Sequence, residues 1–424
     1  MTTHNSLALT PPMGWNSFTA FSVSVVEDEV KANADYLASH LAPLGWEYVV
    51  VDGMWYEDYG ADGTLINDSP RPPLQVDEVG RLLPALTRFP LSTGGAGLAP
   101  LAAYVHGLGL KFGLHIMRGI ARVAVERNCR IAGTSFRAAD IANTNDTCFW
   151  YAGMYGVDMT KPGAQAYYDS LIDLYAGWGV DFIKADDMGS VYARAEVEAV
   201  AAAIGRSGRP IVLSLVGGDS AFCMEHSEMW RVSGDLNDDW EQVSATFDIA
   251  AQSASYAGPG HWPDFDTLPL GHLHLRKWGT GMDPHMTRLS RDEQRTLMTL
   301  WCIAQSPLMF AGHLPDNDDW TLSLLTNPAV LAVNQHGTNA REFSRDSNAV
   351  VWISNTPDPA ARNLALFNLG DTPREITVAC TELGLPAACT VCDLWQQQAL
   401  ASVSGNITAL VPPHGAVLYR LASV

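Results

Sequence analysis

Positive charge is scarce in this chain. Its 424 residues hold 26 Lys and Arg against 46 Asp and Glu, a net charge of −20. A nucleic-acid backbone or an anionic membrane calls for a basic surface, so neither is an expected partner. Long hydrophobic runs are also missing. Those present are short and broken by glycine, which excludes a membrane span. Met1-Thr2-Thr3-His4-Asn5-Ser6 has no basic stretch leading into an apolar one, so no secretory leader is expected. The cysteines number seven, an odd count without repeating spacing. The Cys389-Thr390-Val391-Cys392 pair has no second such pair to complete a zinc site. Mostly reduced thiols and a cytoplasmic location are therefore expected, with a bridge between Cys129 and Cys148 left open. No GxGxxG stands at a strand-to-helix turn, which argues against a dinucleotide site. No metal and no cofactor are called for.

What the chain does have is core-forming material: 47% of it is hydrophobic and 17% charged. Its length allows a barrel of about 250 residues or more and a smaller domain beside it. Short runs rich in β-branched residues recur at Tyr48–Asp52, Leu110–His115, Asp181–Asp186 and Pro210–Leu215. Weaker ones follow at Trp230–Ser233 and Ser306–Phe310. Amphipathic segments separate them: Val25–His40, Ala164–Trp178 and Arg194–Ile204. Strands alternating with helices over this length predict a closed (β/α)8 TIM barrel, residues 1–335. Leu324–His336 reads as the last barrel helix and the linker. From there the chain changes to short strands punctuated by Gly, Pro, Asp and Asn: Ala349–Ser354, Asn363–Asn368, Arg374–Ala379, Thr408–Val411 and Ala416–Leu421. That pattern predicts an antiparallel β-sandwich over residues 336–424.

Active sites of such barrels form at the C-terminal ends of the strands. Asp52, His115 and Asp186 each end a predicted strand, and Asp235 follows Trp230-Arg231-Val232-Ser233. Asp264 and Asp266 lie just beyond a Gly-Pro-Gly-His-Trp loop. Convergent carboxylates with a few cations suit glycoside hydrolysis, where one carboxylate attacks the anomeric carbon and another protonates the leaving oxygen. The two-residue period puts Lys184 and Asp186 on one face of their strand. Lys184 could bind sugar hydroxyls and keep Asp186 ionised, or the two could form a buried structural pair. Arg231 and Asp235, four apart, could equally be a surface ion pair. Asp187 reads as a helix N-cap rather than a catalytic group. A metal-dependent hydrolase using His115, Asp186, Asp187 and His272 or His274 is a competing reading. It is weakened because His272-Leu273-His274 lies in a loop after Asp264.

Several stretches together resemble glycoside hydrolase family 27, the α-galactosidase and α-N-acetylgalactosaminidase family. Thr10-Pro11-Pro12-Met13-Gly14-Trp15-Asn16-Ser17 is similar to its opening signature. Tyr48-Val49-Val50-Val51-Asp52 with Trp55, His106–Gly113, and Trp178–Asp186 resemble three of its strands. Arg231 and Asp235 fit its RxxxD, and Gly258–Asp266 its Gly-Pro-Gly loop. The resemblance implies a divergent, bacterial-type member: an exo-acting, retaining α-glycosidase, α-galactosidase-like, with Asp186 as nucleophile and Asp235 as acid/base. Trp15 (as a stacking surface), Asp52, His115, Arg118, Lys184, Arg231 and Asp266 would bind the sugar of a glycoside or oligosaccharide. Homo-oligomerisation is left open.

The departures from the family bear on specificity. Gly53 stands where a second Asp normally helps hold the axial 4-hydroxyl of galactose. Leu215-Val216-Gly217 replaces a Cys-Glu-Trp whose Glu reads the 2-position, and Met188 replaces a Cys. His115 and Arg118 are polar groups the family does not place there. Arg118 could instead pair with Asp140 or Asp158. An α-glucoside or another related α-glycoside therefore stays in play as substrate, as does a sugar-binding barrel without catalysis.

Overall fold

The computed structural model describes residues 7–59, 74–276 and 281–424; the residues behind the leader reading, 1–6, lie outside them. Eight short parallel strands form the centre: Met13–Asn16, Tyr48–Val51, Lys111–Met117, Phe182–Asp186, Val212–Leu215, Met229–Arg231, Trp262–Asp264 and Leu308–Phe310. The first seven pair in chain order, each with the next, and the eighth pairs with the first, with Met13 beside Leu308. The seam between seventh and eighth is joined at Leu268. Its amide donates to the Met309 carbonyl at 2.7 Å and its carbonyl accepts from the Ala311 amide at 3.1 Å. The sheet thus closes on itself, and the barrel expected from the strand–helix alternation is present.

The strand residues explain the closure. Tyr48, Val49, Val50 and Val51 are all buried. Such uninterrupted apolar runs suit strands covered on both faces, by the barrel interior and by the outer helices. Those helices bury one stripe each. Ala164–Trp178 turns Tyr167, Tyr168, Leu171, Ile172, Tyr175 and Trp178 inward at three- and four-residue spacing. It ends where Gly179 takes the left-handed conformation at φ 90°. The segment expected over Val25–His40 is helix Glu27–Tyr36 followed by a π-helical turn, Leu37–Leu41. The first and seventh strands were not legible beforehand. They are short, and Gly14 and Pro263 interrupt any apolar pattern.

After helices Asp319–Leu325 and Pro328–His336, the chain enters the second domain at Thr338. A six-stranded antiparallel sheet runs in spatial order Thr338–Asp346, Ala349–Asn355, Ala361–Asn368, Ala416–Ser423, Ala388–Asp393 and Gln398–Ser404. Arg374–Ala379 pairs separately with Asn406–Val411. The central strands are apolar on both faces, and the two-residue alternation divides the work. Val351, Ile353, Leu364 and Leu366 pack with Ile376, Val378 and Ile407 between the sheets. Val350, Trp352, Ala365 and Phe367 join the barrel core, where Phe367 meets Phe247 edge-on at 4.9 Å. Thr338–Asp346, Ala388–Asp393 and Gln398–Ser404 were not expected as strands. The first and last of these are exposed edge strands with little apolar patterning.

All seven cysteines are free thiols, so Cys129 and Cys148 are not bridged. Among the described residues no helix is long and apolar enough to cross a membrane.

Gly14 shows how tightly the first two strands approach. A β-carbon there would lie 2.5 Å from the Tyr48 carbonyl oxygen and 2.6 Å from its Cβ. Gly14→Ala must therefore push the strands apart, at a cost of about 1–3 kcal/mol. A thermal melt should show a midpoint several degrees lower; an unchanged midpoint would mean that this approach is not rigid.

Candidate active site

The C-terminal ends of the strands surround a cavity of about 730 Å³. Its floor is built from alternating charges. Asp52, just past the second strand, is almost fully buried. One carboxylate oxygen accepts from Asn16 Nδ2 at 2.6 Å and Lys184 Nζ at 2.7 Å, the other from the Gly53 amide at 2.7 Å. Burial alone would raise its pKa. The Lys184 ammonium outweighs it, with help from His115 and Asn16, and Asp52 stays well below the usual carboxylate range. Lys184 is held charged in return, because the attraction of Asp52, Asp186 and Asp266 exceeds its desolvation. Asp52 takes one of its three protons, which leaves donors for a sugar hydroxyl.

Asp186 closes the fourth strand beside this pair. One oxygen accepts from the Asp187 amide at 2.6 Å and the other faces His115 Nε2 at 3.1 Å. Burial raises its pKa, but the hydrogen bond and charge of His115, then Lys184, then the Asp187 amide hold the carboxyl below its ordinary value. These contacts favour the carboxylate form of Asp186. His115 itself is buried, and its Nδ1 has no hydrogen-bond partner among the described residues.

On the opposite wall, Arg231 is 4% exposed and links the two remaining carboxylates. It meets Asp266 at 2.8 Å and Asp235 at 3.3 Å, and donates to the Gly234 carbonyl. Asp266 also accepts from the Leu236 amide at 2.7 Å, so it positions the loop that carries Asp235. Asp264 is raised by burial and by the negative charge of Asp266, against the pull of Arg231, and is pushed up to about 6. Asp235 projects into the cavity mouth with its side chain 85% exposed.

Asp52, His115, Lys184, Asp186, Arg231, Asp235 and Asp266 therefore all line one cavity. Trp15 and Arg118 do not. Trp15 is fully buried, donates to the Gly312 carbonyl at 2.8 Å and lies edge-on to Phe21, so no face of it is open for stacking. The aromatic surfaces at the cavity belong to Phe18, Phe149 and Trp150. Arg118 has its guanidinium spent on three carboxylates: Asp146 and Glu196 at 2.7 Å and Asp187 at 3.0 Å. Its structural partners are thus neither Asp140 nor Asp158. Asp187, expected as an N-cap, sits in the left-handed region at φ 59° with its carboxylate on Arg118. Lys184 pairs with Asp52 rather than with Asp186. Asn16 went unnoticed, although a buried asparagine next to Trp15 on a short strand had to find a polar partner.

Two family models match the chain: "Alpha galactosidase A" over residues 153–336 and "Alpha galactosidase C-terminal beta sandwich domain" over residues 346–421. The α-galactosidase of Cyamopsis tetragonoloba is 28% identical, the alignment covering 98% of this chain and 87% of that protein. The α-galactosidase of Coffea arabica is 29% identical over 98% of this chain and 95% of that one. Among solved structures, the GH27 β-L-arabinopyranosidase of Geobacillus stearothermophilus is 47% identical. It covers 100% of this chain and 98% of its own, with a TM-score of 0.96.

The hydrogen bond from His115 to Asp186 has a measurable consequence. His115→Phe removes a donor to a charged group, a loss of about 1.5–3 kcal/mol. The Asp186 pKa should rise towards its ordinary value, so ionised nucleophile is lost at a higher pH as the solution is acidified. The acid limb of kcat/KM should move up, with kcat about ten- to a hundredfold lower. An unmoved acid limb would show that His115 does not hold Asp186 ionised.

Proposed function

The chain belongs to glycoside hydrolase family 27, and we propose that it is an exo-acting, retaining enzyme whose preferred substrate is a β-L-arabinopyranoside. β-L-Arabinopyranose is α-D-galactopyranose without the hydroxymethyl at C5. The two share the axial 4-hydroxyl and the anomeric configuration in space.

The observation that carries the choice of sugar is Gly53 beside His115. Gly53 removes a carboxylate from the end of the cavity where Asp52 and Lys184 lie. A β-carbon at position 53 would stand 3.8 Å from His115 Cε1 and 4.0 Å from Nδ1. A side chain would fit there, but the chain supplies none. In the family this end of the site holds the 4-hydroxyl, and the hydroxymethyl is its neighbour on the ring. With one acceptor gone, the unpartnered Nδ1 of His115 is left to meet a ring hydroxyl, and a further hydroxyl on C6 has lost a partner. An unpaired hydroxyl in an enclosed site costs about 1–3 kcal/mol. The 47% identity to a β-L-arabinopyranosidase, against 28–29% to the plant α-galactosidases, supports the same reading.

In the mechanism we propose, Asp186 attacks the anomeric carbon as Asp235 gives its proton to the leaving oxygen. Asp235 then takes a proton from water, which attacks the glycosyl-enzyme. Retention by this route needs carboxyl groups about 5–5.5 Å apart. The leaving group would cover Asp235 and shield it from water. Lys184 and Arg231 supply donors for sugar hydroxyls.

kcat/KM for p-nitrophenyl β-L-arabinopyranoside should exceed that for the α-D-galactoside by about tenfold or more, as one unpaired hydroxyl implies. Gly53→Asp, which restores a carboxylate, should narrow the ratio. Preference for the α-galactoside in the parent protein would overturn the assignment of sugar.

The catalytic roles have their own test. NMR should detect β-L-arabinopyranose as the first-formed product, and an α-anomer appearing first would exclude double displacement. Asp186→Ala should abolish turnover. Asp235→Ala should cost about 10²–10⁴-fold with an alkyl leaving group and much less with p-nitrophenol, which needs little protonation. Equal losses with both leaving groups would remove Asp235 from the acid/base role.

A further inference from the structure

Beside the sugar cavity, a second group of polar side chains has no part in the chemistry above. Asp238 follows the acid/base loop, and its side chain has no exposure to solvent. His274 and His285 reach it from a small hairpin, in which His272–Leu273 pairs antiparallel with His285–Met286. Their rings stack at 5.4 Å with an 18° tilt. One donor atom from each of Asp238, His274 and His285 lies within 4.8 Å of the others.

The hydrogen bonds around His285 raise a chemical question. Its Nδ1 lies 2.6 Å from the Asp283 carbonyl, which only accepts, so Nδ1 carries a proton. Its Nε2 lies 3.0 Å from an Asp238 carboxylate oxygen. A neutral ring would then aim a lone pair at a carboxylate. Two species resolve this: an imidazolium, or a neutral imidazole sharing a cation with the carboxylate. His274 distinguishes them. Its Nε2 is buried and has no hydrogen-bond partner among the described residues. An imidazolium on His285 leaves that nitrogen unpaired and adds a second positive charge beside Arg288. A metal ion gives the His274 nitrogen and the His285 lone pair a partner, on a carboxylate that Arg288 also holds.

We propose that Asp238, His274 and His285 form a binding site for one divalent transition-metal ion of zinc type. Two imidazoles and one carboxylate are the borderline donors that select zinc over magnesium or calcium, and water would complete four-coordination. Arg288 is the competitor for the carboxylate. Its Nη2 holds one Asp238 oxygen at 2.8 Å, and the other accepts from its Nε at 3.1 Å and its backbone amide at 2.7 Å, which leaves that oxygen a lone pair only if Nε lets go. Its side chain is 55% exposed, so water screens its charge. It can keep the first oxygen while the second turns to the metal. The site would fasten the hairpin to the loop carrying Asp235. His274 also lines the sugar cavity, which makes the metal a clip at the cavity rim. Nothing in this proposal depends on which sugar is cleaved.

The test uses untagged, chelator-stripped protein titrated with zinc chloride and, in parallel, with cobalt chloride. Expected are one zinc per chain at micromolar concentration, a zinc-dependent rise in melting temperature, and the visible absorption of four-coordinate cobalt. His274→Gln and His285→Gln should each weaken zinc by at least the about ten- to hundredfold that follows loss of even an outer-shell partner. Arg288→Ala should tighten it. Binding only at millimolar zinc, or zinc held equally by the parent and both histidine variants, would overturn the proposal. Should the histidine variants fail to fold, the Arg288→Ala arm decides: unchanged or weaker zinc binding there counts against the site.

Discussion

An ammonium group inside a barrel needs a carboxylate, and the Lys184–Asp52 pair at 2.7 Å is the contact on which the site depends. Neither charge could be left alone there. Removing one partner of such a pair strands the other, at about 3–5 kcal/mol. The pair joins the second strand to the fourth and is steadied by Asn16 from the first. It also fixes the sign of the field at the cavity floor. Lys184 lies close enough to Asp186 to help keep it ionised, while Asp52 satisfies the lysine without consuming the nucleophile.

Around this centre stands a second layer that never meets the cavity. Arg118 reaches Asp146, Asp187 and Glu196, and Glu196 in turn accepts from the Tyr168 hydroxyl and the Val157 amide. The Arg118 amide also donates to the Asp186 carbonyl at 3.0 Å. This network ties the left-handed turn at Asp187 to the outer helices. That turn presents the Asp187 amide to the nucleophile's carboxylate. Asp266 does the same for Asp235, holding Arg231 with its side chain and receiving the Leu236 amide one residue further on. Each of the two carboxylates in the proposed mechanism is thus oriented by a neighbouring acid that sits on an arginine.

Gly53 and His115 are neighbours in space: a β-carbon at position 53 would stand 3.8 Å from the imidazole Cε1. Lacking a side chain, position 53 leaves the imidazole edge open to the cavity, and the imidazole takes over contact with Asp186. Asp186 keeps a hydrogen-bond donor, while the wall at position 53 carries no charge.

The sequence by itself determined the barrel, the sandwich and the place of Asp52 and Asp186 at strand ends. Short apolar runs and helical stripes are local signals, and Asp186 and Asp235 sit in stretches whose residue order is distinctive. Helix Ala164–Trp178 and strand Arg374–Ala379 fell where their patterns put them. The barrel strands Met13–Asn16 and Trp262–Asp264 did not show, because their existence depends on neighbours rather than on their own composition; Trp262–Asp264 contains a proline and still pairs. Only the tertiary structure decided which polar residues share a cavity. Trp15 and Arg118 stand beside residues that line it, yet one is enclosed by the core and the other is neutralised by three acids from distant segments. Lys184 shares a strand face with Asp186 but pairs with Asp52, 132 positions away in the chain. A side chain's direction follows from local geometry, but its partner depends on which segments the closed barrel brings to the same end.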